Sequence, residues 1–230
     1  MKITWLGHAG FRIEIEDQVL LIDPWLTGNP LFPEEARDAA IADATHILLT
    51  HGHGDHTGDA LALSTETGAP LVGIYDLMSH WEESEGASVI GFNKGGTVQL
   101  GNASVTMVPA AHSSSIAGPK GPIYAGAEAG FILRGEGRVI YISGDTDIMA
   151  DMAWIGEYHA PDIGILCAGG HFTMDMSAAA WAAKKYFDFQ TVIPCHYKTF
   201  PLLEQSAEAL EAGLPGVEVL TPEVMETVEL

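Results

Sequence analysis

The chain begins with a strand-like alternation of apolar runs and short polar turns. Three apolar and β-branched runs, at 3–6, 11–15 and 19–22, are separated by glycine-containing or acidic turns, which predicts a meander of strands. The run at 47–50 is continuously apolar up to its last residue, as in a strand that is buried on both faces. The first part of the chain is therefore expected to form a sheet with one deeply buried strand.

From residue 60 onwards, helical stretches alternate with strand-like runs. The predicted helices cover 60–67, 77–85, 177–187 and 203–212, and the last of them stops at Gly213. The predicted strands cover 101–108, 130–133, 139–142, 163–166 and 191–194. This alternation predicts an α/β fold built in layers around buried sheets. Residues 113–122 are predicted to form an active-site loop, because the strand pattern resumes directly after them, so one domain over 1–230 is expected.

The charge of the chain narrows the range of partners. It has 10 basic and 31 acidic residues, a net charge of −21. Such a chain repels phosphate backbones and anionic membrane surfaces, and no cluster of basic residues offsets this repulsion. We therefore expect a small-molecule substrate and neither nucleic acid nor a membrane as partner, while a homo-oligomer stays open. Residues 1–5 resemble the start of a strand and not a signal peptide, which predicts a cytoplasmic protein.

The segment after the buried strand concentrates groups that bind metals. Three imidazoles and one carboxylate fall within six residues, namely His51, His53, Asp55 and His56. These ligand types suit zinc, manganese and iron. The intervening glycines let the backbone turn tightly, so that alternate side chains face one site. A polar surface loop does not usually follow a buried strand, and this segment therefore predicts a metal site.

Further candidate ligands follow three later strands. His112 comes after the strand at 101–108, Asp145 after 139–142 and His196 after 191–194. α/β folds place their binding crevices at the carboxyl ends of strands. Each histidine alone would more often be a hydrogen-bonded residue at a strand end. Together with the first cluster, the three residues are predicted to join one metal centre.

The order of these groups resembles the metallo-β-lactamase superfamily. His-x-His-x-Asp-His at 51–56 is followed by a lone His, a Gly-Asp pair and a final His, and Asp23 at a strand end resembles the superfamily's first motif. Residues 7–11, 23–30, 170–174 and 194–201 are similar to small bacterial and archaeal metal-dependent hydrolases related to ascorbate-6-phosphate lactonase. The resemblance implies a four-layer αβ/βα sandwich with metals at one edge between two sheets.

The same resemblance implies two divalent metal ions, with zinc as the first expectation and manganese or iron as alternatives. The implied ligands are His51, His53 and His112 for one ion, Asp55, His56 and His196 for the other, and Asp145 as a bridge. The nucleophile would be a hydroxide shared by the two ions. Asp145 and Asp55 are the expected catalytic carboxylates, and Asp55 would also steer the hydroxide and accept its proton.

Four more residues lie in or beside these motifs. Asp23 is expected to accept a hydrogen bond from a ligand histidine and so orient it. His8 would contact the substrate or the metal site, although a plain turn histidine fits the sequence equally well. His171 would line the pocket, since the superfamily pattern has no ligand there. Lys198 would donate to a substrate oxyanion, with a solvated surface lysine as the alternative.

The remaining histidines and the two cysteines are expected to be structural. His46, His80 and His159 belong to no motif. Cys195 lies beside His196, so a metal role is conceivable, but a small buried thiol near a strand end is the preferred interpretation. Cys167 and Cys195 do not constitute a disulfide framework.

Four functions compete at this stage. The expected one is hydrolysis of a small ester, lactone or phosphoester, and the alternative is an iron-dependent oxidoreductase on the same fold. The seven-residue ligand set favours a two-metal hydrolase over a mononuclear dioxygenase. The charge of −21 opposes an RNA phosphodiesterase. The complete ligand set opposes a metal-binding module without catalysis.

Overall fold

The architecture comes from a computed structural model that describes residues 1–230. The strands are β1 (Lys2–Trp5), β2 (Phe11–Ile15), β3 (Gln18–Ile22), β4 (His46–Leu49), β5 (Leu71–Ile74), β6 (Val89–Phe92), β7 (Thr97–Leu100), β8 (Ala103–Pro109), β9 (Ser115–Gly118), β10 (Gly121–Tyr124), β11 (Ala129–Gly135), β12 (Arg138–Ile142), β13 (Ile163–Cys167), β14 (Thr191–Cys195), β15 (Glu218–Val219) and β16 (Thr227–Glu229). The helices are α1 (Arg37–Ile41), α2 (Gly54–Thr57), α3 (Ala60–Thr67), α4 (Tyr75–Glu85), α5 (Met152–His159), α6 (Met176–Tyr186) and α7 (Glu208–Gly213), with a 3₁₀ turn at Glu34–Ala36.

The long-range pairing builds two seven-stranded sheets of similar plan. The first has the order β16-β1-β2-β3-β4-β5-β6, and the second has the order β15-β14-β13-β12-β11-β8-β7. Each sheet is antiparallel on one side and parallel on the other, with β3 to β6 parallel in the first and β12 to β15 parallel in the second. The parallel strands carry their carboxyl ends to one edge of each sheet, which is where the candidate ligands follow.

Burial shows that both faces of each sheet are covered. Every residue of β5, β13 and β14 is buried, as expected for strands packed on both sides. Helices α3 and α4 pack on the first sheet, and α6, with α5 beside it, packs on the second. Between the sheets, Phe92 of β6 stacks on Phe131 of β11 with ring centroids 6.2 Å apart, and one apolar core of 59 residues spans both sheets. The layered α/β fold and its four-layer form are confirmed.

In three segments the observed structure differs from the one predicted from the sequence. The predicted loop at 113–122 contains the hairpin of β9 and β10, because Ile116 pairs with Ile123 across a Gly-Pro-Lys-Gly turn. The predicted strand at 101–108 is β8 preceded by a turn at Gly101, where φ is +58°. The predicted helix at 203–212 is helical only in α7, since the backbone of Glu204 bonds to Gly169 and Lys198 instead of to its own segment.

Candidate metal centre

The candidate ligands converge from both sheets at the carboxyl ends of their strands. After β4 ends at Leu49, the chain turns through His51 and His53 into α2, which carries Asp55 and His56. From the second sheet come His112 after β8, Asp145 after β12 and His196 after β14. The structure thus brings together all seven residues, five imidazoles and two carboxylates, that were predicted as ligands.

Three histidines form one part of the centre, here termed the three-histidine group: His51, His53 and His112. One ligand nitrogen from each lies within 4.8 Å of the other two. Nε2 of His51 is 3.0 Å from Nδ1 of His53, and Nε2 of His53 is 3.5 Å from the Ser113 hydroxyl. Burial lowers the pKa of each of the three imidazoles, and that of His51 falls well below its ordinary value. These side chains therefore present neutral nitrogens to a cation.

Two carboxylates and two imidazoles form the second part, here termed the mixed group: Asp55, His56, Asp145 and His196. Oδ2 of Asp145 lies 3.4 Å from Nε2 of His56, 3.1 Å from Nε2 of His196 and 3.6 Å from Nε2 of His112. Asp145 is therefore the member of the mixed group that also borders the three-histidine group. Asp55 approaches His196 from the other side, with its Oδ2 3.7 Å from Nε2.

Several atoms of the mixed group are buried without hydrogen bonds. They are Nε2 of His56, Oδ1 of Asp145 and both ring nitrogens of His196. The two Nε2 atoms are near Asp145 but not in hydrogen-bond geometry with it. Buried polar atoms normally have partners, and exceptions call for a missing ion or water. A cation placed among these atoms would satisfy them, so the residues present fit a divalent metal.

The charge balance of the mixed group leads to the same conclusion. Burial opposes protonation of its histidines, yet Asp145 and Asp23 raise the pKa of His56 well above its ordinary value. Asp145 and Asp55 likewise overcome burial and raise the pKa of His196 to about 9. Conversely, burial would raise the pKa of Asp145, but His56 and His196 hold it well below its usual range. Without a cation these carboxylates need buried protons, and a divalent ion can replace them.

Asp23 fixes the orientation of two ligands. It accepts a hydrogen bond at 2.8 Å from Nδ1 of His56, which leaves Nε2 of that ring free to face the centre. It also accepts from the Thr50 backbone at 2.8 Å and from the Thr50 hydroxyl at 2.6 Å. Because that hydroxyl donates to Asp23, it accepts from Nδ1 of His51 at 3.0 Å. Nε2 of His51 then also presents a lone pair.

His8 contacts a candidate ligand, whereas His171 and Lys198 contact residues outside the candidate ligand set. His8 is buried, and its Nε2 is 3.0 Å from Oδ2 of Asp55. His171 is exposed and packs edge-on against Phe172, with ring centroids 4.6 Å apart. The Lys198 amine is 3.9 Å from Glu223, and its predicted contact with a substrate stays a prediction.

Sequence reasoning missed the hydroxyl residues that support the ligands. Thr50 links Asp23 to His51, and Thr199 lies 2.8 Å from Nδ1 of His8. The Ser114 hydroxyl accepts from the Gly52 backbone at 3.1 Å and so ties the hairpin base to the ligand turn. Thr50 and Thr199 each lie within three residues of a predicted ligand, and this proximity was the available signal.

Three residues of the candidate metal centre that follow strand ends have a strained backbone. His8, Asp23 and His196 have φ values of 52°, 43° and 61°, in the left-handed region that residues with side chains rarely occupy. Such conformations persist where the surroundings over-determine them, often at functional sites. Close packing contributes here, because a Cβ at Gly169 would overlap the His196 carbonyl oxygen. Cys195 and its register partner Cys167 are buried free thiols.

Two helix-flanked sheets with a histidine and aspartate cluster at their carboxyl edge characterise a metal-binding α/β protein. Residues 18–197 match the family model described as beta-lactamase superfamily domain. A UPF0173 metal-dependent hydrolase of Paracoccus denitrificans is 70% identical over 230 residues, covering 100% of both chains, and one of Cereibacter sphaeroides is 71% identical with the same coverage. Igni18, a metallo hydrolase from Ignicoccus hospitalis, superposes with a TM-score of 0.85 at 33% identity and covers 99% of this chain and 97% of its own.

The chain belongs to the metallo-β-lactamase superfamily and, within it, to the UPF0173 family of metal-dependent hydrolases. The protein is accordingly a metal-dependent hydrolase whose candidate ligands are the histidine and aspartate clusters described above. None of its helices has both the length and the apolar character needed to cross a membrane.

Proposed function

We propose that the protein hydrolyses a small ester, lactone or phosphoester with two divalent metal ions, zinc in the first place. The observation that carries the proposal is the set of buried, unpartnered ligand atoms around Asp145. The three-histidine group would hold one ion and the mixed group the other. Asp145 would bridge them, since its Oδ2 lies within 3.6 Å of ring nitrogens from both groups.

Bound divalent cations supply a Lewis acid for a substrate oxygen and lower the pKa of a coordinated water towards neutrality. The protein's own contribution differs between its two carboxylates. The Asp145 side chain is 3% exposed, which suits a fixed ligand, whereas that of Asp55 is 33% exposed. Asp55 is therefore the carboxylate that can meet water at the surface of the centre and accept its proton.

The surroundings of the centre support a small substrate. His8 is flanked by Trp25 and Phe200, whose ring centroids lie 5.4 and 5.9 Å from its own. These partly exposed aromatic rings would pack against an apolar substituent next to the reacting bond. The net charge of −21 disfavours a nucleic acid, while two cations would still attract a small anionic group.

The test is a panel of aryl esters, lactones and phosphodiesters assayed with zinc-, manganese- and iron-loaded protein. We expect slow turnover of at least one small substrate, abolished by chelation and by His53→Ala. A matched control is His46→Ala, a half-buried histidine at the opposite end of β4. Efficient cleavage of structured RNA with no small substrate turned over would refute the proposal. So would oxygen consumption by iron-loaded protein without hydrolysis, which would establish the oxidoreductase instead.

A further inference from the structure

His8 contacts two members of the mixed group that come from opposite halves of the chain. Its side chain bonds to Asp55 of the first half, and its backbone and ring contact His196 of the second half. We propose that His8 is a positioning residue that fixes Asp55 and His196 for the ion of the mixed group, here termed the second metal ion. This inference rests on the two-metal function proposed above, and it assigns His8 a role that its sequence context leaves open.

His8 contacts Asp55 through its side chain. The bond from Nε2 of His8 to Oδ2 of Asp55, at 3.0 Å, is shorter than the contact of the same oxygen with Nε2 of His196, at 3.7 Å. The imidazole of His8 is only 1% exposed, so water reaches this bond only from the side of Asp55, whose side chain is 33% exposed. Asp55 itself sits on α2, a single turn of four residues that does little to restrain a side chain. The orientation of the Asp55 carboxylate therefore depends on His8.

Asp55 determines which nitrogen of His8 carries the proton, and Thr199 matches that choice. The Asp55 carboxylate accepts, so Nε2 of His8 must donate, and Nδ1 is then an acceptor. The hydroxyl of Thr199 lies 2.8 Å from Nδ1 and 3.2 Å from the Tyr197 carbonyl, and its one proton can be donated to the nearer Nδ1. Thr199, His8 and Asp55 thus form a directed chain of hydrogen bonds that ends on a metal-ligand carboxylate, as orienting partners of metal sites do.

His8 contacts His196 through both its backbone and its ring. The His8 carbonyl accepts from the His196 backbone at 2.9 Å and from the Trp5 indole at 3.0 Å. The two imidazole rings lie 4.0 Å apart between centroids. Neither ring nitrogen of His196 has a hydrogen-bond partner, so charge attraction to Asp145 and packing hold the ring, and His8 provides one side of that packing. Asp23 orients His56 of the same group through a hydrogen bond, whereas His8 contacts Asp55 and His196.

The experiment measures stepwise zinc affinity by competition with a chromophoric chelator. The variants are His8→Ala, His8→Gln, which retains an amide N–H donor of similar reach, and Thr199→Val, with His46→Ala as the matched control. We expect His8→Ala to weaken the affinity for the second equivalent of zinc, bound by the mixed group, about 10–100-fold. The affinity for the first equivalent, bound by the three-histidine group, should be unchanged. His8→Gln should recover most of the loss, Thr199→Val should show a smaller loss, and His46→Ala should match the wild type.

Two results would overturn the proposal. One is unchanged affinity for the second equivalent in His8→Ala. The other is equal weakening of both equivalents that His8→Gln does not repair, which would indicate a merely structural residue. If His8→Ala does not fold, Thr199→Val decides: a loss confined to the second equivalent supports the proposal, and unchanged affinity or equal weakening of both equivalents overturns it. A wild type that binds one equivalent would refute the two-metal function, and His8→Ala would still have to weaken that equivalent for the present inference to survive.

Discussion

The three-histidine group and the mixed group lie side by side and differ in charge, burial and support. The first has no carboxylate of its own, and His53 and His112 are partly exposed. The second is built around the buried Asp145, and its ligands are oriented by Asp23 and His8. A proton competes weakly with a cation for a neutral imidazole, and more strongly for an imidazole that is paired with a carboxylate. Two adjoining ions would therefore be bound with separable affinities and pH dependences.

The largest expected effect comes from removing the side chain between the two groups. Asp145→Ala should weaken both metal equivalents and lose far more activity than Asp23→Ala, because Asp145 lies against both groups while Asp23 acts through His56 and Thr50. Loss of such an orienting residue typically lowers affinity or activity about 10–100-fold. Elemental analysis and kcat of the two variants check this, and equal effects would show that the roles are misassigned.

Single ligand deletions should separate the groups. His53→Ala removes a ligand from the three-histidine group and His56→Ala one from the mixed group, so each should retain one tightly bound equivalent. The retained ion should be held by the intact group, and hydrolysis should be lost in both variants. Metal content after dialysis provides the measurement. Loss of both ions from His53→Ala would mean that the groups are not independent.

A pH titration should sharpen the contrast. In the metal-free protein, burial lowers the pKa of His51, His53 and His112 below the ordinary value of 6.5, so protons do not compete with the first ion at neutral pH. His196, raised to a pKa of about 9 against the opposing effect of burial, holds a proton that the second ion must displace. Affinity for the second equivalent should therefore rise with pH up to about 9, while the first stays flat above pH 7. Parallel pH profiles for both equivalents would contradict the account.

The same shifts predict the pH dependence of metal-free stability. His196 has a folded pKa above its unfolded value, so its contribution is fully present below about pH 6.5 and is lost as pH rises through 9. The melting temperature of metal-free protein should fall over that window, and that of metal-loaded protein should not, because the ion replaces the proton. Thermal melts between pH 6 and 10 check this. An unchanged metal-free melting temperature would count against the ion pairing of His196.

The smallest expected effect concerns Thr50, which links Asp23 to His51. Thr50→Val removes a hydroxyl that donates at 2.6 Å and accepts at 3.0 Å. One hydrogen bond contributes on the order of 1 kcal/mol, so affinity for the first equivalent should fall several-fold. Thr106→Val, remote on β8, is the control and should bind metal normally. Weakening of the second equivalent alone would place the effect in the wrong group.

The ligands were predictable from sequence because each follows an apolar strand. His51, His112 and His196 are near in space because parallel and hairpin strands end at one edge, a consequence of topology that strand-end positions already indicate. The supports were less predictable. Thr199 and His8 lie 191 residues apart in the chain, and no local pattern relates them.

Elements determined by tertiary contacts were also missed. Helix α5 has Gly156 at its centre, which lowers helix propensity. In the fold, that glycine admits the backbone of Tyr186, whose carbonyl oxygen a Cβ would overlap. Residues 203–207 have a helical sequence pattern, but Gln205 donates to the carbonyls of Phe200 and Leu203 and holds the segment as a turn. In both cases a distant or non-helical partner overrides the local signal.

If one cluster binds two divalent ions in unlike groups, the protein must hold two equivalents of metal per chain. Native protein and protein reconstituted with excess zinc should each be analysed by elemental analysis and by stepwise chelator removal. The account predicts two equivalents per chain that leave in two separable steps. A single equivalent per chain after reconstitution with excess metal would contradict it.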